Sequence, residues 1–311
     1  MSVLVGGGPD EGLVWHHGDP MREQRAIESG DGVLALSNRG VLAIAGPDRL
    51  AWLHSLTSQH LSELAQGSAT VALVLSPTGH IEHVLHGVDD GETFWAWTEP
   101  GRAAELVAWL DRMRFMMRVE VSHREDLELL WTGSGVAAPA AALASRASQV
   151  GGGQEHFVPV GTTADATPVG TWAHEAVRIA QGVPRIGIDT DHRTIPNEIG
   201  LLGTHLDKGC YRGQETVARV HTLGRPPRRL VQLHLDGSME ALPEAGSALQ
   251  LADREVGFVG SAQRHHELGP VALGLVKRNV ALDAVLVAQG ISAAQEPLVD
   301  PEVGLHVRPR L

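Results

Sequence analysis

The sequence predicts an α+β protein in two parts. A body of interleaved strands and helices comes first, and a small all-β barrel or sandwich follows it. Three observations carry that prediction. The chain has 311 residues, beyond the size at which one hydrophobic core keeps growing. Up to residue 223, short β-like apolar runs alternate with apolar residues at helical spacing. Beyond the junction Leu223-Gly224-Arg225-Pro226-Pro227-Arg228-Arg229, short β-like runs follow one another with turn residues between them, the pattern of an all-β domain of about 85 residues. The expected division is a lead-in at 1–30, a body at 31–224 and a terminal domain at 225–311.

The elements read in order as follows. Residues 1–30 carry Gly, Pro and charge and read as exposed. Runs at 33–36 and 41–45 read as two strands around the turn Asn38-Arg39-Gly40. Gly46-Pro47-Asp48 starts a helix, with Leu50, Leu53, Leu56, Leu61 and Leu64 near helical spacing and a break near Ser58. Runs at 71–75 and 81–88 flank Ser76-Pro77-Thr78-Gly79 as a hairpin, and 93–98 is a further strand. Pro100-Gly101 opens a second helix with Leu106, Val107, Leu110 and Met113 on one face. Residues 134–170 are rich in Ala, Gly, Ser and Thr, and Gly151-Gly152-Gly153 reads as a flexible loop. A helix at 172–181 ends at Gly182 and Pro184. The irregular stretch 183–213 is a candidate functional segment. A short helix at 214–220 places Glu215 and Arg219 at i, i+4. Strands are expected at 230–235, 248–251, 256–263, 271–276 and 284–287.

Composition excludes several function classes. The formal charge of −12 argues against general nucleic-acid or anionic-membrane binding through the whole surface. The single cysteine rules out an intrachain disulfide and fits a reducing compartment. One chain also cannot house an iron–sulfur cluster, which normally takes four thiolates, so no stably bound metal is expected in one chain. Met1 to Asp10 lack a basic n-region, and no window approaches the 18 or so apolar residues of a membrane span. The expectation is a soluble cytoplasmic protein.

The chemistry concentrates at Lys208-Gly209-Cys210-Tyr211-Arg212-Gly213-Gln214-Glu215, where the only cysteine and the only tyrosine are adjacent. A thiolate is the reactive form of cysteine, and neighbouring positive charge favours it. Lys208 and Arg212 flank Cys210, and Gly209 and Gly213 bracket it as a tight turn requires. An isolated cysteine is more often a buried structural residue; the basic neighbours and the glycines favour the reactive reading. A Cys–His–Asp hydrolase needs a positioned base, and no histidine here is placed by a local signature. His80, Glu82, His83 and His86 lie on a strand-like run, so His80, Glu82 and His86 share one face and His83 the other. Ligands strung along one strand span too far to converge on one ion. The adjacent pairs His16-His17 and His265-His266 fail by the same alternation. Arg112, Arg114 and Arg118 read as the basic end of the second helix, with an anion-binding patch as the sharper alternative. Arg225, Arg228 and Arg229 read as a solvated linker. Gly6-Gly7-Gly8 lacks the Lys-Ser/Thr and preceding strand of a phosphate loop.

The run 208–215, continuing to Ala218-Arg219, closely resembles the signature of the YgfZ family, a branch of the folate-binding, GcvT-like (glycine cleavage T-protein) superfamily. Arg178-Ile179-Ala180-Gln181-Gly182-Val183-Pro184 resembles the segment before that motif, and Ile195-Pro196-Asn197-Glu198 its Pro-x-Glu element. The stretch 47–59 resembles the first helix of the T-protein fold. Gly257-Phe258-Val259-Gly260-Ser261 and Ala272-Leu273-Gly274 are similar to strands of its terminal barrel. The resemblance covers about residues 15–295.

It implies a GcvT-like folate-binding body of mixed α/β subdomains around a central channel, followed by a small β-barrel. It implies tetrahydrofolate or a derivative as cofactor, with Glu198, Tyr211 and Arg178 as folate contacts. It implies a factor that assembles or repairs iron–sulfur clusters in client enzymes, including tRNA thiomethylation enzymes, through a thiolate at Cys210 aided by Lys208. Gly209, Arg212, Gly213, Gln214, Glu215 and Arg219 would support the motif. The implied partners are iron–sulfur client or assembly proteins and folate, not nucleic acid or membrane. Two departures separate the chain from T-proteins. His83 and Val84 fall where T-proteins carry an Asp pair, and their Arg-Leu-Glu-Ala-Gly segment is Arg178-Ile179-Ala180-Gln181-Gly182 here. An assembly factor is therefore favoured over the alternatives, a folate-dependent aminomethyl-type transferase or a non-catalytic folate sensor.

Overall fold

The structure, a computed structural model, describes residues 1–307. They form two compact units. The first comprises residues 1–74, 83–177 and 203–211; the second comprises 75–82, 178–202 and the chain from 212 onward. Both are discontinuous in sequence, unlike the expected spans 31–224 and 225–311, and residues 178–202 belong to the same unit as the terminal barrel.

The first unit opens with the antiparallel pair β1 (Val3–Leu4) and β2 (Val14–His16), then α1 (Pro20–Glu28). Asp19 caps α1, its carboxylate accepting from the Arg22 N–H at 3.0 Å, and Pro20 takes the first turn. Ile27 on α1 is fully buried in a core with Trp131. Residues 1–30 are thus only in part an exposed lead-in: residues 1–12 are mostly exposed, whereas α1 buries Glu23, Gln24 and Ile27.

β3 (Gly32–Leu36) and β4 (Gly40–Ala45) stand where the sequence predicts strands, but they do not pair. The rest of this half is α2 (Arg49–Leu56), β5 (Thr70–Leu75), β6 (Ile81–Asp89), β7 (Thr93–Thr98), α3 (Ala103–Arg112), β8 (Glu120–His123), β9 (Leu127–Thr132), β10 (Ala144–Ala147), β11 (Gln154–Pro159), β12 (Thr167–Pro168) and α4 (Thr171–Ala180). One sheet runs β10-β11-β9-β3-β12 and the other β5-β6-β7-β4-β8. β4 is apolar on both faces and is covered on both, as a central strand must be. Val41 and Ala43 pack with Trp131, Phe157 and Leu34 of the facing sheet, while Leu42 and Ile44 pack with Trp52, Leu53, Leu106 and Leu110 of α2 and α3.

In residues 134–170, Gly151-Gly152-Gly153 lies in the connection between two strands. The whole stretch holds β10, β11 and β12, with Ala144 opposite Phe157 and Phe157 fully buried. Small and hydroxylated residues blunt the alternation there, so cross-strand pairing, not local pattern, makes these strands. The histidines of β6 divide between faces as alternation requires. His86 stacks on Trp97 at 3.9 Å between centroids. His83 is buried near α3, and burial pushes its imidazole down to about 4.

The second unit contains a 3-10 turn at Pro196–Ile199, α5 (Gln214–Leu223) and a closed barrel. The barrel strands are β13 (Arg228–Leu235), β14 (Ala248–Leu251), β15 (Arg254–His265), β16 (Gly269–Lys277), β17 (Leu286–Ala288) and β18 (Ile291–Pro297). They close in the order β13-β16-β15-β14-β17-β18 around Val231, Leu233, Leu249, Val259 and Leu286. β18 completes the closure and escapes sequence reading because Ser-Ala-Ala-Gln-Glu carries little apolar signal.

Arg228 and Arg229 are not a solvated linker. Arg229 is buried and donates to the Lys277, Arg278 and Val280 carbonyls at 3.3, 3.3 and 3.0 Å and to Gln295 Oε1 at 2.9 Å. Arg225 alone of the three is exposed, pairing with Glu302 at 2.8 Å. Among the described residues, no helix is long and apolar enough to cross a membrane.

Candidate functional site

In the first unit, residues 203–211 lie against the end of α2. Ser58, just past α2, exchanges backbone bonds with Leu73 and His205 (2.9 Å each), and its hydroxyl donates to the Gly203 carbonyl at 2.6 Å. A Cβ on Gly203 would come within 3.0 Å of Val71, and its φ is +63°, so glycine suits that approach.

Lys208 ends this segment, and its ammonium is buried. Nζ donates to the carbonyls of His54, Thr57 (2.6 Å) and Gln59 (3.0 Å). Helix C-termini leave carbonyls without intrahelical donors and carry partial negative charge. Lys208 supplies both a donor and a charge there. Burial pushes it down to about 8. Its Nζ also lies 5.0 Å from the centre of the Tyr211 ring. Tyr211 is itself buried, and burial pushes its phenol up to about 12.

Gly209 and Cys210, between those two anchors, are exposed, and Cys210 is a free thiol. The Lys208 ammonium donates to three carbonyls. Gly209 does not have a positive φ, and residues 209–211 form no turn, so the tight turn expected around Cys210 is replaced by an irregular segment on which the thiol is exposed between two buried side chains.

In the second unit, Arg212, the other flanking cation, pairs with the Glu82 carboxylate at 3.0 Å. Gly213 starts α5 with φ +81°, and a Cβ there would come within 2.5 Å of the Ser76 carbonyl. A Cβ on Gly79 would come within 2.8 Å of Thr216. Gln214 opens α5; Glu215 and Arg219 are exposed on it and make no ion pair with each other among the described residues.

The residues assigned to folate are engaged inside the second unit. Glu198 is buried; its Oε2 accepts from the Ile195 N–H at 3.1 Å, and both oxygens accept from Arg228 at 2.8 Å. Arg228 also grips Asp191 at 2.7 and 3.0 Å. Burial opposes charge on this arginine, but Glu198 and Asp191 outweigh it and hold its pKa above the ordinary value. Asp191, for the same reason, stays well below the usual carboxylate range despite burial. Arg178 is buried, donates to the Val183 carbonyl and pairs with Asp189 at 2.9 Å. Asp189 in turn accepts from the Ser261 N–H of β15 at 2.6 Å. These contacts brace strands and turns of the second unit.

Sequence reading missed the histidines around the Lys208 site. His54 and His60 pack edge to face at 4.7 Å, and His60 lies 5.3 Å from His205. Burial, then Lys208, lowers His54 below its ordinary value. The available signal was weak: His60 and His205 flank the segments that meet only in three dimensions.

No family model matches the chain. A chloroplastic protein of Arabidopsis thaliana whose name marks it as a candidate transferase is 24% identical over 94% of this chain and 76% of its own length. The tRNA-modifying protein YgfZ of Edwardsiella ictaluri is 32% identical over 42% of this chain and 40% of its own length. The crystal structure of the glycine cleavage system aminomethyltransferase T of Bartonella henselae superposes with a TM-score of 0.80 at 18% identity, covering 96% of this chain and 94% of that one. The chain has the aminomethyltransferase fold, with the closed six-stranded barrel at its C-terminal end.

Proposed function

We propose that this chain uses the aminomethyltransferase fold to present one thiol, Cys210, for the assembly or repair of iron–sulfur clusters in client proteins of the cytoplasm, tRNA thiomethylation enzymes among them. One observation carries the reading. The only thiol of the chain is exposed on an irregular segment between two buried side chains, Lys208 and Tyr211. A buried structural cysteine would show the reverse arrangement. The partial likeness to a tRNA-modifying protein points the same way. The cluster is cargo in this reading. A single thiol can ligate, receive or pass it, and the remaining ligands come from the client.

Tetrahydrofolate or a derivative enters this proposal through the fold's likeness to aminomethyltransferases alone. Glu198, Arg178 and Tyr211 are committed to internal contacts, so no chemical step is assigned to them.

Complementation tests the thiol. In a strain lacking the gene, the wild-type chain restores iron–sulfur enzyme activity, and Cys210→Ser leaves it near the deletion level with an unchanged melting temperature. Full restoration by Cys210→Ser overturns the thiol role.

A second reading, a folate-dependent aminomethyl-type transferase, is favoured by the fold match to an aminomethyltransferase across nearly the whole chain. It predicts turnover of a methylene donor by the purified protein alone, insensitive to Cys210→Ser. His83, which stands where the resemblance sets a carboxylate, is buried and pushed down to about 4, so it is a neutral imidazole at pH 7. That exchange weighs against methylene transfer.

A further inference from the structure

Residues 112–118 read Arg-Met-Arg-Phe-Met-Met-Arg and connect α3 to β8 in the first unit. Phe115 is 83% exposed and Met116 97%. An apolar tip of this kind on an otherwise well-packed unit requires a reason.

The tip is built, not frayed. Before it, the Trp52 indole N–H donates to the Met113 carbonyl at 3.1 Å, and the Met113 and Arg114 N–H groups close back on Leu110 and Asp111. After it, Asp48 accepts from the Arg118 backbone N–H at 2.9 Å and from its guanidinium at 3.0 and 2.6 Å. Gly46, with φ +111°, lets the Arg118 backbone approach so closely that a Cβ would sit 2.2 Å from its carbonyl oxygen. Phe115 itself has φ +48°, a left-handed conformation that bulky residues rarely adopt. A pinned turn therefore holds an aromatic ring out in solvent.

Its charge runs against that of the molecule. The chain carries −12 overall, yet this turn has three arginines. Arg118 belongs to Asp48, but Arg112 makes no ion pair among the described residues, and Arg114 reaches Asp111 only at 3.6 Å, both groups half exposed. The complement of the helix dipole accounts for Arg112 at the end of α3; it does not account for Phe115 and Met116. Aromatic residues, Met and Arg are the types enriched at protein interfaces, and Met adapts to irregular apolar surfaces. Membrane-surface binding normally uses an amphipathic helix lying flat, and this is a short turn.

We propose that the 112–118 turn is a docking tip for a protein partner with an apolar pocket rimmed by carboxylates. Phe115 and Met116 enter the pocket, and Arg112 and Arg114 pair with its rim. The proposal is independent of the role of Cys210.

The test incorporates a photoreactive benzoyl-phenylalanine at position 115 of the full chain in its native host. The cross-linked protein is identified, purified and titrated against the unmodified chain at low and high salt. The expected result is one discrete heterologous protein. Its binding weakens about tenfold or more with Phe115→Ala plus Met116→Ala and with Arg112→Glu plus Arg114→Glu, and weakens with salt. These side chains are exposed, so the melting temperature stays unchanged. Four results each overturn the proposal: no protein adduct, an adduct with a second copy of this chain, co-sedimentation with phosphatidylserine vesicles that the same substitutions abolish, or a partner indifferent to them.

Discussion

Lys208 and Arg228 are both cations withdrawn from water, one in each unit, and they are balanced in opposite ways. Lys208 rests on three neutral carbonyls at the end of α2. Arg228 rests on two carboxylates, Asp191 and Glu198. Dipoles offset burial only in part, so the lysine falls to about 8, whereas full opposite charges hold the arginine above its ordinary value. One centre is titratable near physiological pH; the other is permanently charged. The titratable one anchors the segment that carries the candidate thiol, and the permanent one braces the barrel.

The largest effect should come from breaking the charge-balanced centre. Arg228→Leu leaves Glu198 buried without its cation and should destabilise the protein by about 3 kcal/mol, the low end for a broken buried pair because Asp191 retains some water. Urea denaturation measures it, and a loss below that of Lys208→Met would reverse the ranking. Lys208→Met removes one donor from three carbonyls and should reduce stability by about 1–3 kcal/mol. Amide exchange should speed up at residues 54–60, while an unchanged rate there would sever Lys208 from α2.

The pH dependence sharpens the same contrast. The folded-state pKa of Lys208 lies below its ordinary 10.5. Between about pH 8 and 10.5 the unfolded chain therefore binds more protons at this site, and stability rises with pH across that window. Wild type should gain on Lys208→Met from pH 8 to 10; a shrinking gap would mean that the carbonyls hold the ammonium more firmly than burial expels it. The smallest effect belongs to Arg212→Ala. Its pair with Glu82 is about one-third exposed on both sides, so thermal unfolding should register less than about 1 kcal/mol.

The motif at 208–215 was legible because it is dense in types with narrow uses: a lone thiol, a lone tyrosine, and a glycine, Gly213, at the start of α5 with φ +81°. The terminal barrel was legible for five of its six strands, since turn residues punctuate them. Several contacts lie beyond local reading for a shared reason. Lys208 is near Cys210 in sequence, but the carbonyls to which it donates lie about 150 residues upstream. Glu198 was offered to a ligand, while Arg228, some 30 residues on, takes both its oxygens. β3 and β4 were legible as two strands around a turn, but that they lie in different sheets was not; β4 is apolar on both faces and covered on both.

By itself the sequence determined the α+β class and the barrel after residue 227, because each rests on local periodicity. Only the tertiary structure decided which way the charged side chains around Cys210 point, which strands share a sheet, and that the thiol is exposed on an irregular segment between two buried anchors. A long charged side chain goes to whichever acceptors compensate its burial, and the fold brings those acceptors from distant parts of the chain.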